Sequence, residues 1–325
     1  MIFLNLAVLL AGFAALVKGA DIFVDGSSAL ARFFKVPSLV IGLTIVATGT
    51  SMPELAVSAS AALAGADEIA LSNVVGSNIF NLLGILGVCA LIYRLPVDSV
   101  IIKRDYPLSV LSTAGILPAV ALPVFLNGSF FSLGMEERAG TVSRILGIVL
   151  LAVYSAYIMY LILDARKNPV SDDGGKTLPL WKSILFIILG LALVIGGGEA
   201  VVYSAQNIAR FFGMTETLIG FTIVAIGTSL PELVTSLVAA RKGDASLAIG
   251  NVIGSNIFNL LFILGLSAVI RPVAVNAASV YDLAVLVLTS ALVWIFSVTK
   301  KSIGRTEGFI MLLFYAAETV FAIMR

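Results

Sequence analysis

The chain has 325 residues, of which 59% are hydrophobic and 12% charged, and its formal net charge is +1. Soluble globular chains carry roughly 25% charged residues, so the composition excludes a soluble domain, and the near-neutral balance gives no basic surface for nucleic acid. There is no His and only one Cys, Cys89, which excludes histidine-based zinc chemistry, imidazole acid/base catalysis and an intrachain disulfide.

Apolar stretches long enough for the approximately 20 residues that cross a bilayer as helix recur along the chain. The alternation over segments of about 10 residues that marks a membrane β-barrel is absent. The expected fold is therefore all-α and polytopic, with ten transmembrane helices, five per half. The first half holds spans at 4–30, 37–64, 68–92, 105–126 and 142–163. Met1–Val17 has the hydrophobicity of a signal peptide but no basic leader, and an equivalent apolar segment opens the second half; it reads as a retained first span. Pro37 suits the first turn of the second helix, where its missing N–H costs nothing extra. Phe125–Ser129 reads as a turn followed by a mildly amphipathic stretch outside the membrane, and its Asn127-Gly128-Ser129 matches a glycosylation acceptor pattern.

Asp164–Leu180, with Asn168-Pro169 and Asp172-Asp173-Gly174-Gly175, is the one polar linker of any length. It divides a first repeat, residues 1–163, from a second, residues 181–325, with 164–180 as a short connection. The second half holds spans at 182–209, 215–240, 245–270, 279–299 and 303–324. With the amino terminus outside, the cytoplasmic connections carry 14 Lys and Arg and the external side 5, a positive-inside bias. Both termini then lie outside and the linker is cytoplasmic. Five spans per half is an odd number, so the second repeat enters from the opposite face and the repeats are inverted.

The repeat is explicit in the residues. Gly49-Thr50-Ser51-Met52-Pro53-Glu54-Leu55 returns 178 residues later as Gly227-Thr228-Ser229-Leu230-Pro231-Glu232-Leu233. The same displacement carries Ser72–Gly87 onto Gly250–Gly265 with 13 of 16 positions identical. An ionisable side chain inside a membrane span is costly and marks a candidate functional site. Glu54 and Glu232 each follow a proline, which cannot donate to the carbonyl of Gly49 or of Gly227, and such bare carbonyls are tolerated where they line a cavity or meet an ion. Thr50 and Thr228 lie one turn before the carboxylates, with Ser51 and Ser229 close to the same face.

Partner helices add a polar stripe at i, i+4, i+8 spacing: Asn73, Ser77 and Asn81, then Asn251, Ser255 and Asn259. Gly76 and Gly254 would let a neighbouring helix approach each stripe. Carboxylate, hydroxyl, amide and carbonyl oxygens are hard ligands suited to Ca²⁺ and Na⁺, and Ca²⁺ takes roughly 6–8 of them. A lone Ser, Thr or Asn in a membrane helix is more often helix–helix glue than a ligand; the repeated constellation is harder to dismiss. Asp21 and Glu199, equivalent positions late in the first helix of each half, read either as lining an ion entrance or as boundary carboxylates. Lys18 can snorkel or pair with a carboxylate. Ser58 and Ser236 read as packing rather than as ligands.

The paired Gly-Thr-Ser-x-Pro-Glu-Leu and Gly-Ser-Asn-x-x-Asn motifs resemble those of the sodium/calcium exchanger family, within the cation/calcium exchanger superfamily, and the resemblance covers essentially the whole chain. It implies two inverted five-helix repeats in which the long first and sixth helices move across a core. By matching position it implies Thr50, Ser51, Glu54, Ser77 and Asn81 as ligands in the first half, and Thr228, Ser229, Glu232, Ser255 and Asn259 in the second. The backbone carbonyls of Ala47 and Ala225 join them, and Asn73 and Asn251 are further candidates.

The implied activity is secondary antiport of Ca²⁺ against Na⁺ by alternating access. No cofactor, nucleic acid or obligatory protein partner is expected beyond the lipid bilayer and the transported cations. Sodium-dependent members often carry an aspartate at one end of the stripe, whereas Asn81 and Asn259 are both amides. That keeps H⁺ coupling and K⁺ participation open as alternatives. An oxygen-lined cation channel and a non-transporting Ca²⁺ sensor are the rivals from other classes. A hydrolase built on the two glutamates lacks a water-exposed catalytic domain.

Overall fold

The computed structural model describes residues 2–126, 134–169, 178–214 and 225–324. Its helices are α1 (Ile2–Phe34), α2 (Ser38–Thr50), α3 (Met52–Ala64), α4 (Glu68–Ile92), α5 (Tyr106–Leu126), α6 (Arg144–Lys167), α7 (Leu180–Phe211), α8 (Leu230–Arg241), α9 (Ala245–Ile270), α10 (Ala277–Lys300) and α11 (Arg305–Met324). Among the described residues seven helices are long and apolar enough to span a membrane, and an eighth if α2 and α3 count as one bent span. The turn expected at Asn127–Ser129, most of the linker and the start of the span expected at 215–240 lie outside the described residues.

The chain forms two compact units, residues 1–53 with 161–254 and residues 54–160 with 255–325. Each draws on both halves of the sequence repeat. In the first unit, α1 and α7 run antiparallel along a seam of small residues at intervals of seven: Gly12, Gly19 and Gly26 against Gly197, Gly190 and Ser183. A methyl group built on Gly12, Gly19 or Gly26 would come within 3.0, 2.9 and 2.9 Å of the carbonyl oxygens of Gly197, Gly190 and Ser183. Seven-residue spacing keeps one edge of each helix on its partner. Small residues there let two backbones touch, the main source of helix association where lipid removes any hydrophobic drive.

Polar groups close one end of this unit. Asp21 receives Arg241 at 2.9 Å, and Lys242 reaches Asp25 at 2.7 Å. Asp244 accepts from Ser28 at 3.1 Å and Ser38 at 2.9 Å, and caps α9 through the Leu247 N–H at 3.0 Å. Asp21 is therefore engaged in an ion pair, while its equivalent Glu199 is exposed.

The second unit contains α4, α5, α10, α11 and most of α3, α6 and α9, and it departs from the all-helical expectation in one respect. Two antiparallel strand pairs sit at its chain reversals: β1 (Leu95–Pro96) with β4 (Ser302–Ile303), and β2 (Arg138–Val142) with β3 (Val273–Asn276). The second pair carries a register shift between Arg138 and Gly140. Segments that leave a helix must still pair their backbone groups, and reciprocal pairing between reversals accomplishes this; hydropathy carries no trace of it. Close backbone approaches recur here too, with a methyl group on Gly147 coming within 2.7 Å of the Gly265 carbonyl and one on Gly308 within 2.8 Å of that of Gly87.

Candidate cation site

Both copies of the glutamate motif interrupt their helix at the same point. Ser51 has φ −83° and ψ 12°, Ser229 φ −93° and ψ 9°, and a new helix starts at the next residue. The cause is the proline that follows two positions on, which removes an N–H from the helical ladder yet fits the opening of a new helix. The consequence is that Glu54 and Glu232 stand in the first turn of α3 and α8, where free N–H groups and the helix dipole favour a negative charge. Both glutamates are buried, with residue exposures of 0% and 1%.

In the first unit, residues of both repeats converge on Glu232. Ser51 Oγ donates to Glu232 Oε1 at 2.7 Å, a short, charge-assisted distance. Thr50 Oγ1 lies 3.1 Å from Asn251 Oδ1. Asn251 Nδ2 donates to Ser236 Oγ at 2.9 Å and to the Glu232 carbonyl at 3.4 Å. Glu232 Oε2 and Thr228 Oγ1 are buried and have no hydrogen-bond partner among the described residues. Such oxygens are what a desolvated cation requires.

The second unit repeats the brace at the expected displacement: Asn73 Nδ2 donates to Ser58 Oγ at 2.8 Å and to the Glu54 carbonyl at 3.1 Å. Ser58 and Ser236 are thus the acceptors that hold the two asparagines. Further along α4 and α9, four asparagines form a closed, two-fold symmetric set. Asn78 Nδ2 donates to the Asn256 carbonyl at 3.1 Å and Asn256 Nδ2 to the Asn78 carbonyl at 3.2 Å. Asn81 Nδ2 donates to Asn256 Oδ1 at 3.0 Å and Asn259 Nδ2 to Asn78 Oδ1 at 3.0 Å. The remaining oxygens, Asn81 Oδ1 and Asn259 Oδ1, are buried without a hydrogen-bond partner among the described residues. Both sit where the helix widens into a π turn, Phe80–Ile85 and Phe258–Ile263, a distortion frequent at functional sites. Ser77 and Ser255 are buried in the same unit.

The sequence-derived candidates thus fall into two groups. Thr50, Ser51, Thr228, Ser229, Glu232 and Asn251 belong to one unit; Glu54, Asn73, Ser77, Asn81, Ser255 and Asn259 belong to the other. The Ala47 carbonyl accepts the Ser51 N–H at 3.0 Å, and Ala225 opens the helical turn Ala225–Gly227. The expected close approach at Gly254 is present, a methyl group there lying 2.7 Å from Leu43 Cα, whereas no described residue comes within 4 Å of one built at Gly76. The repeat equivalent of Leu43 is Phe221, 178 residues later, which lies outside the described residues.

Sequence reading missed Asn78 and Asn256. The signal was available, since Gly-Ser-Asn recurs intact in both copies, but each lies one residue off the stripe of four-residue spacing.

The profile of the family described as "sodium/calcium exchanger protein" matches residues 4–163 and 182–324. The putative antiporter CaxA of Alkalimonas amylolytica is 36% identical over 316 residues, covering 94% of each chain. The sodium/calcium exchanger MaX1 of Methanosarcina acetivorans is 34% identical over 355 residues, covering 98% of this chain and 99% of its own. Among solved structures, the sodium-calcium exchanger NCX_Mj soaked with zero Na⁺ and Ca²⁺ superposes with a TM-score of 0.82 at 33% identity over 100% of both chains. With both halves of the chain matched by the profile, and relatives 34% and 36% identical along nearly the whole of both chains, the chain belongs to the sodium/calcium exchanger family.

Proposed function

We propose that this multi-pass membrane protein is a secondary antiporter, not an enzyme, that moves Ca²⁺ across the membrane in exchange for Na⁺ by alternating access. Glu54 and Glu232 supply the negative charges that balance Ca²⁺. Thr50, Ser51, Thr228, Ser229, Ser77, Ser255, Asn81 and Asn259, with the carbonyls of Ala47 and Ala225, supply neutral oxygens to Ca²⁺ or to the Na⁺ ions that replace it. An empty site leaves buried charge uncompensated, which discourages movement between faces without cargo and so enforces exchange.

The observation that carries this reading is the set of buried oxygens with no hydrogen-bond partner among the described residues, Glu232 Oε2, Asn81 Oδ1 and Asn259 Oδ1, each on a residue whose other polar atom is fixed. Buried polar atoms are normally satisfied; these point to a cationic partner.

The reading includes two inverted five-helix repeats, residues 1–163 and 181–325, joined by a cytoplasmic linker at 164–180 with both termini outside. The strand pairs support it, because β1 and β4 belong to connections that the charge count puts inside, and β2 and β3 to connections that it puts outside.

The test is flux in vesicles of purified protein with Na⁺, H⁺ and K⁺ gradients imposed separately. An outward Na⁺ gradient should drive Ca²⁺ uptake, and E54Q and E232Q should each reduce it at least about tenfold, since a charge-assisted contact contributes about 1.5–3 kcal/mol. Uptake driven by a pH gradient alone identifies H⁺ coupling, and current without counter-ion movement identifies a channel. Near-normal transport by both glutamine variants would refute the assigned roles.

A further inference from the structure

We propose that Asn78 and Asn256 are positioning residues for cation binding: they lock the carboxamides of Asn81 and Asn259 with oxygen presented to the ion and NH₂ turned away. The proposal rests on the exchanger reading above and adds to it a pair of residues that touch no ion.

A carboxamide offers an acceptor on one side and two donors on the other, and turning it over exchanges them. For a neutral ligand this choice decides whether a cation meets an oxygen or a partial positive charge. A backbone carbonyl can only accept. Asn78 must therefore aim Nδ2 at the Asn256 carbonyl, 3.1 Å away. Its Oδ1 is then left to accept Asn259 Nδ2 at 3.0 Å, so Asn259 Oδ1 is the atom that remains. The second arm runs identically from the Asn78 carbonyl through Asn256 to Asn81. Both amide orientations are thus set by main-chain atoms, two bonds removed from the presented oxygens.

All four asparagines are at most 1% exposed, so water does not compete for their hydrogen bonds. A set serving only to join α4 to α9 would have no reason to leave two acceptors at its outer ends without a donor among the described residues, since each buried acceptor without a donor costs about 1–3 kcal/mol. A bound cation offsets that cost. The arrangement also explains how a stripe with amides at both ends functions without an aspartate, whose two oxygens need no such orientation.

The decisive measurement is equilibrium binding of ⁴⁵Ca²⁺ to purified protein, at fixed Na⁺, through a double-variant cycle. N78L releases Asn259 to turn over and should weaken binding by about tenfold, the lower end for residues that orient metal ligands. N259D presents oxygen in either orientation, so adding N78L to it should change the half-saturating Ca²⁺ by less than about twofold. Merely structural damage would be carried unchanged into the double variant, and an undiminished tenfold loss there overturns the proposal. So does wild-type affinity in N78L. The mirrored pair, N256L with and without N81D, gives the same comparison should N78L not fold. Absence of Ca²⁺ binding by the unsubstituted protein overturns the exchanger reading, and this proposal with it, and is thereby distinct from a failure of the asparagine set alone.

Discussion

Asn251 shows how much one neutral side chain does around a buried acid. Its NH₂ holds the Ser236 hydroxyl at 2.9 Å and reaches the Glu232 carbonyl, while its oxygen lies 3.1 Å from Thr50 Oγ1. N251L would strip all three partners at once and take from the buried Ser236 hydroxyl its 2.9 Å donor, at a cost of about 1–3 kcal/mol. The expected outcome is a melting midpoint of the ion-free protein lowered by several degrees, at about 2–4 °C per kcal/mol, together with weakened Ca²⁺ binding. N73L should do the same through Ser58 and the Glu54 carbonyl. The glutamates and hydroxyls were legible in the sequence because they recur at a fixed displacement inside apolar surroundings. The bracing was not: Asn73 and Asn251, candidate ligands by spacing, also spend their NH₂ donors on backbone and Ser oxygens. Asn78 and Asn256 were passed over although Gly-Ser-Asn recurs in both copies, because four-residue spacing picks out one helix face and their partners are 178 positions away.

The α1–α7 seam puts opposite conditions on two adjacent residues of α7. A methyl group on Gly197 would fall 2.7 Å from the Leu16 nitrogen, whereas one on Gly196 meets nothing within 4 Å. Alanine is favoured over glycine within a helix by about 1 kcal/mol, so G196A should leave the melting midpoint unchanged or raise it. G197A forces two backbones apart and should lower it, by about 1–3 kcal/mol of overpacking. Purified variants compared by thermal unfolding check both signs. Several helix positions were readable from hydropathy to within a few residues, 142–163 being expected and Arg144–Lys167 observed, whereas the span expected at 37–64 is bent by 51° at its middle. Helix interruptions were readable only where proline announces them, at Ser51 and Ser229. The π turns at Asn81 and Asn259 arise from packing that no local preference encodes.

Across the whole molecule, sequence repeats and packing units do not coincide. Each compact unit combines segments of both repeats, which is why Ser51 of the first can donate to Glu232 of the second. If the repeats are inverted, equivalent points in the two must open to opposite sides of the membrane. The segments following α4 and α9 provide such points, and their strand partners fix what else must share each side. Leu95–Pro96 pairs with Ser302–Ile303, so Ser99 and Lys301 belong inside; Val273–Asn276 pairs with Arg138–Val142, so Arg271 and Glu136 belong outside. Cys89 is the sole cysteine and is buried, so a C89A background makes single-cysteine labelling clean. In intact cells a membrane-impermeant maleimide should modify E136C and R271C, and should modify S99C and K301C only after permeabilisation. Labelling of S99C and R271C from the same side would sink the inverted topology. Agreement between strand partners, with both sides exchanged, would instead preserve the inversion and reverse only the orientation drawn from the Lys and Arg count.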